Sequence, residues 1–271
     1  MKINFYLKYY TVFGEQLFIS GNNILLGDDD SFLAAQMQWL NEDYWRLTID
    51  LPNDFDGTIY YRYILKNKEG IQIFDGEENR FIDVATNPSK SYSVFDTWNS
   101  AGNILNVFFT KPFSKILLTP VSSTKNAKPA KANHIFRVKA PLLNPGETIC
   151  LCGSTKNLKN WDVSDPILLI PQNNWFTTSI ALDENEWPAS YKYGIYNIEQ
   201  KRMVTLEDGE NRIIRQFEET DKGLTIFNDG FVNCHRNLWR GAGVLIPVFS
   251  LTSENSMGVG EFSDLKLLIE I

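Results

Sequence analysis

Apolar positions along this chain come in short runs rich in β-branched and aromatic residues, broken by turn signals such as Pro52-Asn53-Asp54 and Asn173-Asn174. No long helical period interrupts them before the last residues, so the pattern predicts strands. The runs also repeat. Gly14-Glu15-Gln16-Leu17-Phe18-Ile19-Ser20-Gly21 returns as Gly146-Glu147-Thr148-Ile149-Cys150-Leu151-Cys152-Gly153, and Trp45 to Leu51 returns as Trp175 to Leu182. Tyr61-Arg62-Tyr63 matches Tyr191-Lys192-Tyr193, and Asp75 to Arg80 matches Glu207 to Arg212. Ser93-Val94-Phe95-Asp96 and Thr225-Ile226-Phe227-Asn228 close the two copies. Five landmarks in one order predict a mostly β chain built as two immunoglobulin-like antiparallel β-sandwich modules in tandem.

The first module is expected over residues 1–98 and the second over 134–230, separated by a linker over 99–133. Within it, Thr119 to Lys131 is small, polar and proline-containing, the composition of a solvated connector. Residues 231–271 change character again. Leu238 to Leu251 is an apolar run suited to a buried parallel strand, and Gly258 to Ile271 opens a helix with Leu265, Leu268 and Ile269 on one side. Strand, loop and helix make one βα unit, the start of a TIM barrel. A barrel needs eight, and the helix reaches Ile271 without a stop signal, so a truncated barrel is expected.

Composition narrows the partners. In 271 residues the hydrophobic fraction is 43%, enough for more than one core. A net charge of −7, with 26 Lys and Arg and no basic run, opposes nucleic acid as a partner, because that affinity rests on neutralising phosphates. The residues near Met1 lack the apolar stretch of a signal peptide and no segment is long enough to cross a membrane, so a cytoplasmic chain with no membrane partner is expected. Cys150 and Cys152 alternate within a strand and read as small core residues, not as metal ligands. His134 and His235 read as surface or linker residues. Three adjacent carboxylates, Asp28 to Asp30, cannot all converge on one ion and read as a solvated loop. No metal and no cofactor is expected.

Gly153-Ser154, then Leu158-Lys159-Asn160-Trp161-Asp162, Trp175 opening a strand, Tyr191-Lys192-Tyr193 and Glu207 to Arg212 resemble the motif string of the starch-binding domains, carbohydrate-binding module family twenty. The resemblance is stronger in the second copy. It implies a ligand whose sugar rings offer an apolar C–H face to a flat aromatic ring and a rim of hydroxyls to Lys, Glu and Asn. In the second module it places sugar contact at Trp161, Lys192, Glu207 and Asn211, with Leu206 where the family has a second tryptophan. In the first module the matching positions are Asp29, Arg62, Phe74, Asp75 and Asn79. The family's other site implies Trp45 and Trp175, with Trp39 and Phe13 nearby in the first module and Pro145 in the second. Trp187 sits off the family position on a neighbouring loop. Alternation places Lys192 on the face opposite Tyr191 and Tyr193.

The segment from Arg240 to Leu268 resembles the start of the catalytic domain of the amylomaltase and disproportionating-enzyme family, glycoside hydrolase family seventy-seven. That resemblance implies a 4-α-glucanotransferase that works by a retaining mechanism and binds α-glucans such as starch, glycogen and maltooligosaccharides. Its catalytic carboxylates would lie beyond residue 271; Glu254 and Glu261, near the expected active face, are assigned no role. Two other classes fit the same modules: a glucan-sensing protein without transfer activity, and a first module that serves as a structural or protein-contact domain.

Overall fold

The computed structural model describes residues 1–76, 79–99, 106, 132–140, 143–172, 174–214 and 223–234. The expected βα unit, with Glu254, Glu261 and His235, and nearly all of the expected linker lie outside the described residues. The chain divides into two units, Met1–Val232 and Asn233–Ile271; the strands below all lie in the first.

Eighteen strands form among the described residues, in the order the alternation predicts: β1 (Lys2–Lys8), β2 (Gln16–Gly21), β3 (Ala35–Gln36), β4 (Gln38–Trp39), β5 (Tyr44–Asp50), β6 (Thr58–Lys66), β7 (Gln72–Phe74), β8 (Arg80–Asp83) and β9 (Ser91–Thr97) in the first half. The second half repeats the plan with β10 (His134–Lys139), β11 (Glu147–Gly153), β12 (Ile167–Leu168), β13 (Ile170–Gln172), β14 (Trp175–Ile180), β15 (Ala189–Asn197), β16 (Arg202–Leu206), β17 (Arg212–Ile214) and β18 (Leu224–Phe231). The expected pair of β-sandwiches is present. The halves are nevertheless not separate. Eight strands run in one sheet in the order β13-β14-β10-β18-β9-β1-β5-β4, and each half adds a five-stranded sheet of its own, β3-β2-β6-β7 with β8 on β6, and β12-β11-β15-β16 with β17 on β15.

The join is the parallel ladder of β9 and β18, which pairs Leu224 with Tyr92, Ile226 with Val94 and Asn228 with Asp96. Neighbours across a ladder point to the same face. Tyr92 and Val94 face the first core, where they pack with Phe5, Ile19, Tyr61 and Tyr63, and Ile135, Leu224 and Ile226 of the second half complete that core. On the opposite face Phe227 stacks on Phe95 at 5.2 Å and meets Phe136 at 5.1 Å and Tyr191 at 6.0 Å, inside the second sandwich. The two sandwiches therefore share one central sheet and lie on its opposite faces.

Buried polar groups show how the copies correspond. In the first, Tyr61 and Tyr63 donate their hydroxyls to Asp96 at 2.8 and 2.6 Å, and Arg80 bridges Asp96 and Asp75. In the second, Tyr191 and Tyr193 donate to Asp229 at 2.9 and 2.7 Å, and Arg212 bridges Asp229 and Glu207. Burial, then the adjacent carboxylate, raises all four phenols well above the ordinary tyrosine value, so they stay protonated donors. The counterpart of Asp96 is thus Asp229, not Asn228 as the sequence repeat suggested. That one-residue difference decides the architecture: the ladder pairs Asp96 with Asn228, so equivalent side chains fall on opposite faces. Asn228 instead crosses into the first network, donating to Asp96 at 2.8 Å and to Tyr61 at 3.3 Å.

A second correction concerns the tryptophans. Leu7 pairs with Trp45, and Val138 with Phe176. Trp45 therefore corresponds to Phe176, both packed toward an interior. Trp175 corresponds to Tyr44, one residue earlier and on the other face. His134, read as a surface or linker residue, is buried at 5% exposure, stacked near Phe227 and Trp187, with its ring Nδ1 2.7 Å from the Asn133 side-chain oxygen. Cys150 and Cys152 are buried as expected. They lie on the outer face of their sheet, beside Lys192 and under Met203, not on the aromatic interior face.

Two measurements check this packing. Asn228→Ala removes the donor that ties the second half to Asp96 and Tyr61, and should lower stability by about 1–3 kcal/mol; an unchanged urea midpoint would refute the interlock. Burial pulls the His134 imidazole down to about 4 from an ordinary 6.5. Between those values the unfolded chain takes up a proton that the folded chain refuses, so His134 should cost stability as pH falls through that window, by roughly 3 kcal/mol at its lower end. His134→Phe should flatten the profile between pH 6.5 and 4 relative to the parent, and identical profiles would contradict the assignment.

Candidate glycan-binding surface

A turn shared by both sandwiches presents the strongest candidate. After β2 the chain enters a short 3-10 turn at Ile24–Leu26, capped by Asn23, whose side chain accepts the Leu25 amide at 3.0 Å. After β11 the turn Lys156–Trp161 is capped by Thr155, which accepts the Leu158 amide at 3.3 Å. Gly21 and Gly153 precede these turns, and a Cβ at either would run into a backbone carbonyl, of Tyr60 or Ser190. Both turns end in three successive residues with positive φ: Gly27, Asp28 and Asp29 in the first copy, Lys159, Asn160 and Trp161 in the second. Left-handed backbone at Lys159 and Trp161 costs of order 1 kcal/mol per residue, because neither side chain offers the local compensation that asparagine does. The indole of Trp161 is carried at the end of this segment, half-buried. Asp29 holds the same place in the first copy and is exposed.

Lys192 lies between Tyr191 and Tyr193 on β15. Both tyrosines point inward, so Lys192 takes the outer face, as alternation required, opposite Cys152 of β11. Its ammonium donates to the carbonyls of Gly209 at 2.6 Å and Glu207 at 3.2 Å, which fixes the turn that carries Asn211. Asn211 is exposed at that turn. Glu207 behaves differently from the expectation. Its carboxylate is buried, receives Arg212 at 2.8 and 2.9 Å, and accepts the Tyr193 amide at 3.0 Å. Those bonds make it a structural anchor of the turn, so its free acceptor capacity toward a sugar is small. The Arg212 guanidinium, which burial alone would lower, is held well above its ordinary value by Asp229 and Glu207. Trp187, on the loop before β15, packs against His134 at 5.6 Å.

The first copy keeps the backbone but spends the side chains. Arg62 lies 4.4 Å over the Phe74 ring, covering one face of the aromatic expected there, and Asp75 is buried against Arg80. Asn79 remains exposed. At the other expected site Trp39 pairs across the hairpin with Trp45. Trp39 is 62% exposed on an edge strand, whereas Trp45 packs half-buried against the core. Phe13 is fully exposed on the β1–β2 loop. Trp175 stands apart from that pair: Lys139 lies 5.0 Å over its ring, and it lines a narrow cleft with Asn79, Arg80 and Thr97 of the first copy. The sequence placed Asn79 and Trp175 in different sites; the shared sheet brings them together.

The family profile described as a starch binding domain matches twice, over residues 1–94 and 133–226. A curated relative, the 4-alpha-glucanotransferase DPE2 of Oryza sativa subsp. japonica, is 28% identical over 288 residues, covering 98% of this chain. The chain spans 29% of that relative's length. Among solved structures, the family 20 module of the maltotetraose-forming amylase of Pseudomonas saccharophila STB07 is 17% identical, with 35% of this chain and 98% of that one covered and a TM-score of 0.29. The family 15 glucoamylase of Hypocrea jecorina is 21% identical over 36% of this chain and 17% of that one, with a TM-score of 0.31.

Proposed function

Because this chain belongs to the starch-binding domain family, we propose that it binds α-glucan chains, and that the turn carrying Trp161 beside the Lys192–Asn211 turn is the principal contact of the second sandwich. One observation carries the assignment: the same left-handed turn is built in both copies, and only the second ends it with an aromatic ring. A partly exposed indole covers the C–H face of a glucose ring, and the exposed Asn211 amide has both a donor and an acceptor for its hydroxyls. Lys192 acts mainly by holding the turn, with one of its three ammonium protons left for a sugar.

In the first sandwich Trp39 on the β4 edge and Phe13 on the β1–β2 loop are rings open to water, so sugar contact there runs along the β4 edge and not over Phe74. With Arg62 on Phe74 and Asp29 in place of the tryptophan, the first sandwich contributes less affinity. On the strength of the likeness to a 4-alpha-glucanotransferase, the chain is read as the glucan-binding region of such an enzyme. That enzyme would transfer α-1,4-glucan segments through a glycosyl-enzyme ester, using two carboxylates roughly 5 Å apart. None of the described residues is assigned a catalytic role.

Titration with maltoheptaose, followed by calorimetry, tests the binding site. Trp161→Ala should weaken association by roughly tenfold or more, the effect of losing one stacked anchor, while Glu207→Gln should act mainly through stability. Equal affinity in Trp161→Ala and the parent would overturn the proposal.

A further inference from the structure

Sharing one sheet creates a second cleft that neither sandwich contains alone. It lies on the second sandwich's side of the ladder, where the end of β1 and the start of β5 approach the turn before β17, and its volume is about 310 Å³. Lys8, Asp43 and Tyr44 form one wall and Glu210, Asn211 and Arg212 the other, over a floor that includes Phe95 and Phe227. Tyr44 meets Phe95 edge-on at 5.9 Å. Its proximity contributes to the raised value of the Tyr191 phenol of the opposite half, after burial and Asp229. The counterpart position across the ladder holds only about 20 Å³, since there the larger indole of Trp175, with Lys139 on its face, takes up part of the space.

The chemistry of the walls selects the ligand class. Four carboxylates line the cleft, Asp43, Asp96, Glu210 and Asp229; Asp96 and Asp229 are taken up by the buried tyrosines and arginines, and Arg212 by Asp229 and Glu207, which leaves Asp43 and Glu210 facing Lys8. A lone anion would meet carboxylates and a lone cation would meet ammonium and guanidinium groups. A neutral polyol meets donors and acceptors on both sides with aromatic carbon beneath it, in a volume at the lower end of the range for small-ligand sites, about 300–1000 Å³.

We infer that this cleft between the sandwiches is an additional α-glucan subsite, with Tyr44 supplying the ring and Lys8, Asp43, Glu210 and Asn211 the hydroxyl contacts. The inference rests on the proposed glucan binding and extends it. Asn211 borders this cleft, while Lys192 holds the same turn from the outer face of β15, so a single glucan could pass over the turn from one site into the other. The first half would then contribute to binding through Lys8 and Tyr44 even though its own turn lacks the tryptophan.

Calorimetric titration of the full chain with maltoheptaose separates the outcomes. Trp161→Ala should keep residual binding, and adding Asp43→Ala with Glu210→Ala, both exposed and outside the buried networks, should weaken that residue at least fivefold. Tyr44→Leu, which removes the ring, should weaken it further without loss of circular dichroism, whereas Tyr44→Phe, which keeps the ring, should not. In parallel, the backbone amides of Thr97 and Asn211 should shift on titration of Trp161→Ala. If Trp161→Ala abolishes all binding, or if the Asp43/Glu210 changes leave its residual binding and the Thr97 shift untouched, the cleft site is wrong and the Trp161 site stands. Absence of binding in the unaltered chain would overturn both.

Discussion

Everything distinctive about this chain depends on the parallel pairing of β9 with β18. Each strand is the last of its sandwich and would otherwise be an open edge, a row of backbone donors and acceptors available to any other chain. Pairing them satisfies both edges at once and buries Tyr92, Val94, Leu224 and Ile226 in one core and Phe227 in the other. Strands buried on both faces are the usual condition of parallel pairing, and β9 is buried through Asp96 without a break. The ladder also obliges the buried Asp96 to find its donors from two halves of the chain: Tyr61, Tyr63 and Arg80 from one and Asn228 from the other. A buried carboxylate is tolerable only when its lone pairs are met.

The consequence for binding is geometric. Two modules on a flexible connector would gain avidity through a broad distribution of separations, whereas two sandwiches built on one sheet hold the turns proposed to meet the sugar at fixed positions. A glucan must then match the spacing, and the matching one loses less entropy on binding. The fusion also explains how a weakly equipped first sandwich can matter: its β1 and β5 ends supply one wall of the cleft beside the second sandwich's turn.

Much of this was legible in the sequence. Period-two alternation located the strands, the repeat gave two sandwiches, and the resemblance to the starch-binding motif string singled out Trp161, which the structure carries half-buried at the end of a left-handed turn. Lys192 faces outward because Tyr191 and Tyr193 face inward, which is alternation alone. What failed did so for identifiable reasons. Matching Trp45 to Trp175 and Asp96 to Asn228 each erred by one residue, and in a strand one residue reverses the face. Glu207 kept the family's residue type, but type does not reveal that Arg212 and the Tyr193 amide already occupy its carboxylate. The joining of β9 to β18 has no local signature, since edge pairing depends on which surfaces meet. One signal was available: Asp229, a charged residue next to Asn228 in an apolar strand, needed buried partners, and the two tyrosine pairs were the natural donors.

Amide hydrogen exchange on the full chain tests the shared sheet most directly. If β9 and β18 are paired, the amides that bridge them within Tyr92–Asp96 and Leu224–Asn228 should be protected to the same degree as those of the central strands β6 and β15, because they open only when the joined sheet opens. Fast exchange along the facing edges of both strands, with β1 and β10 still protected, would show two sandwiches that fold separately and would contradict the account.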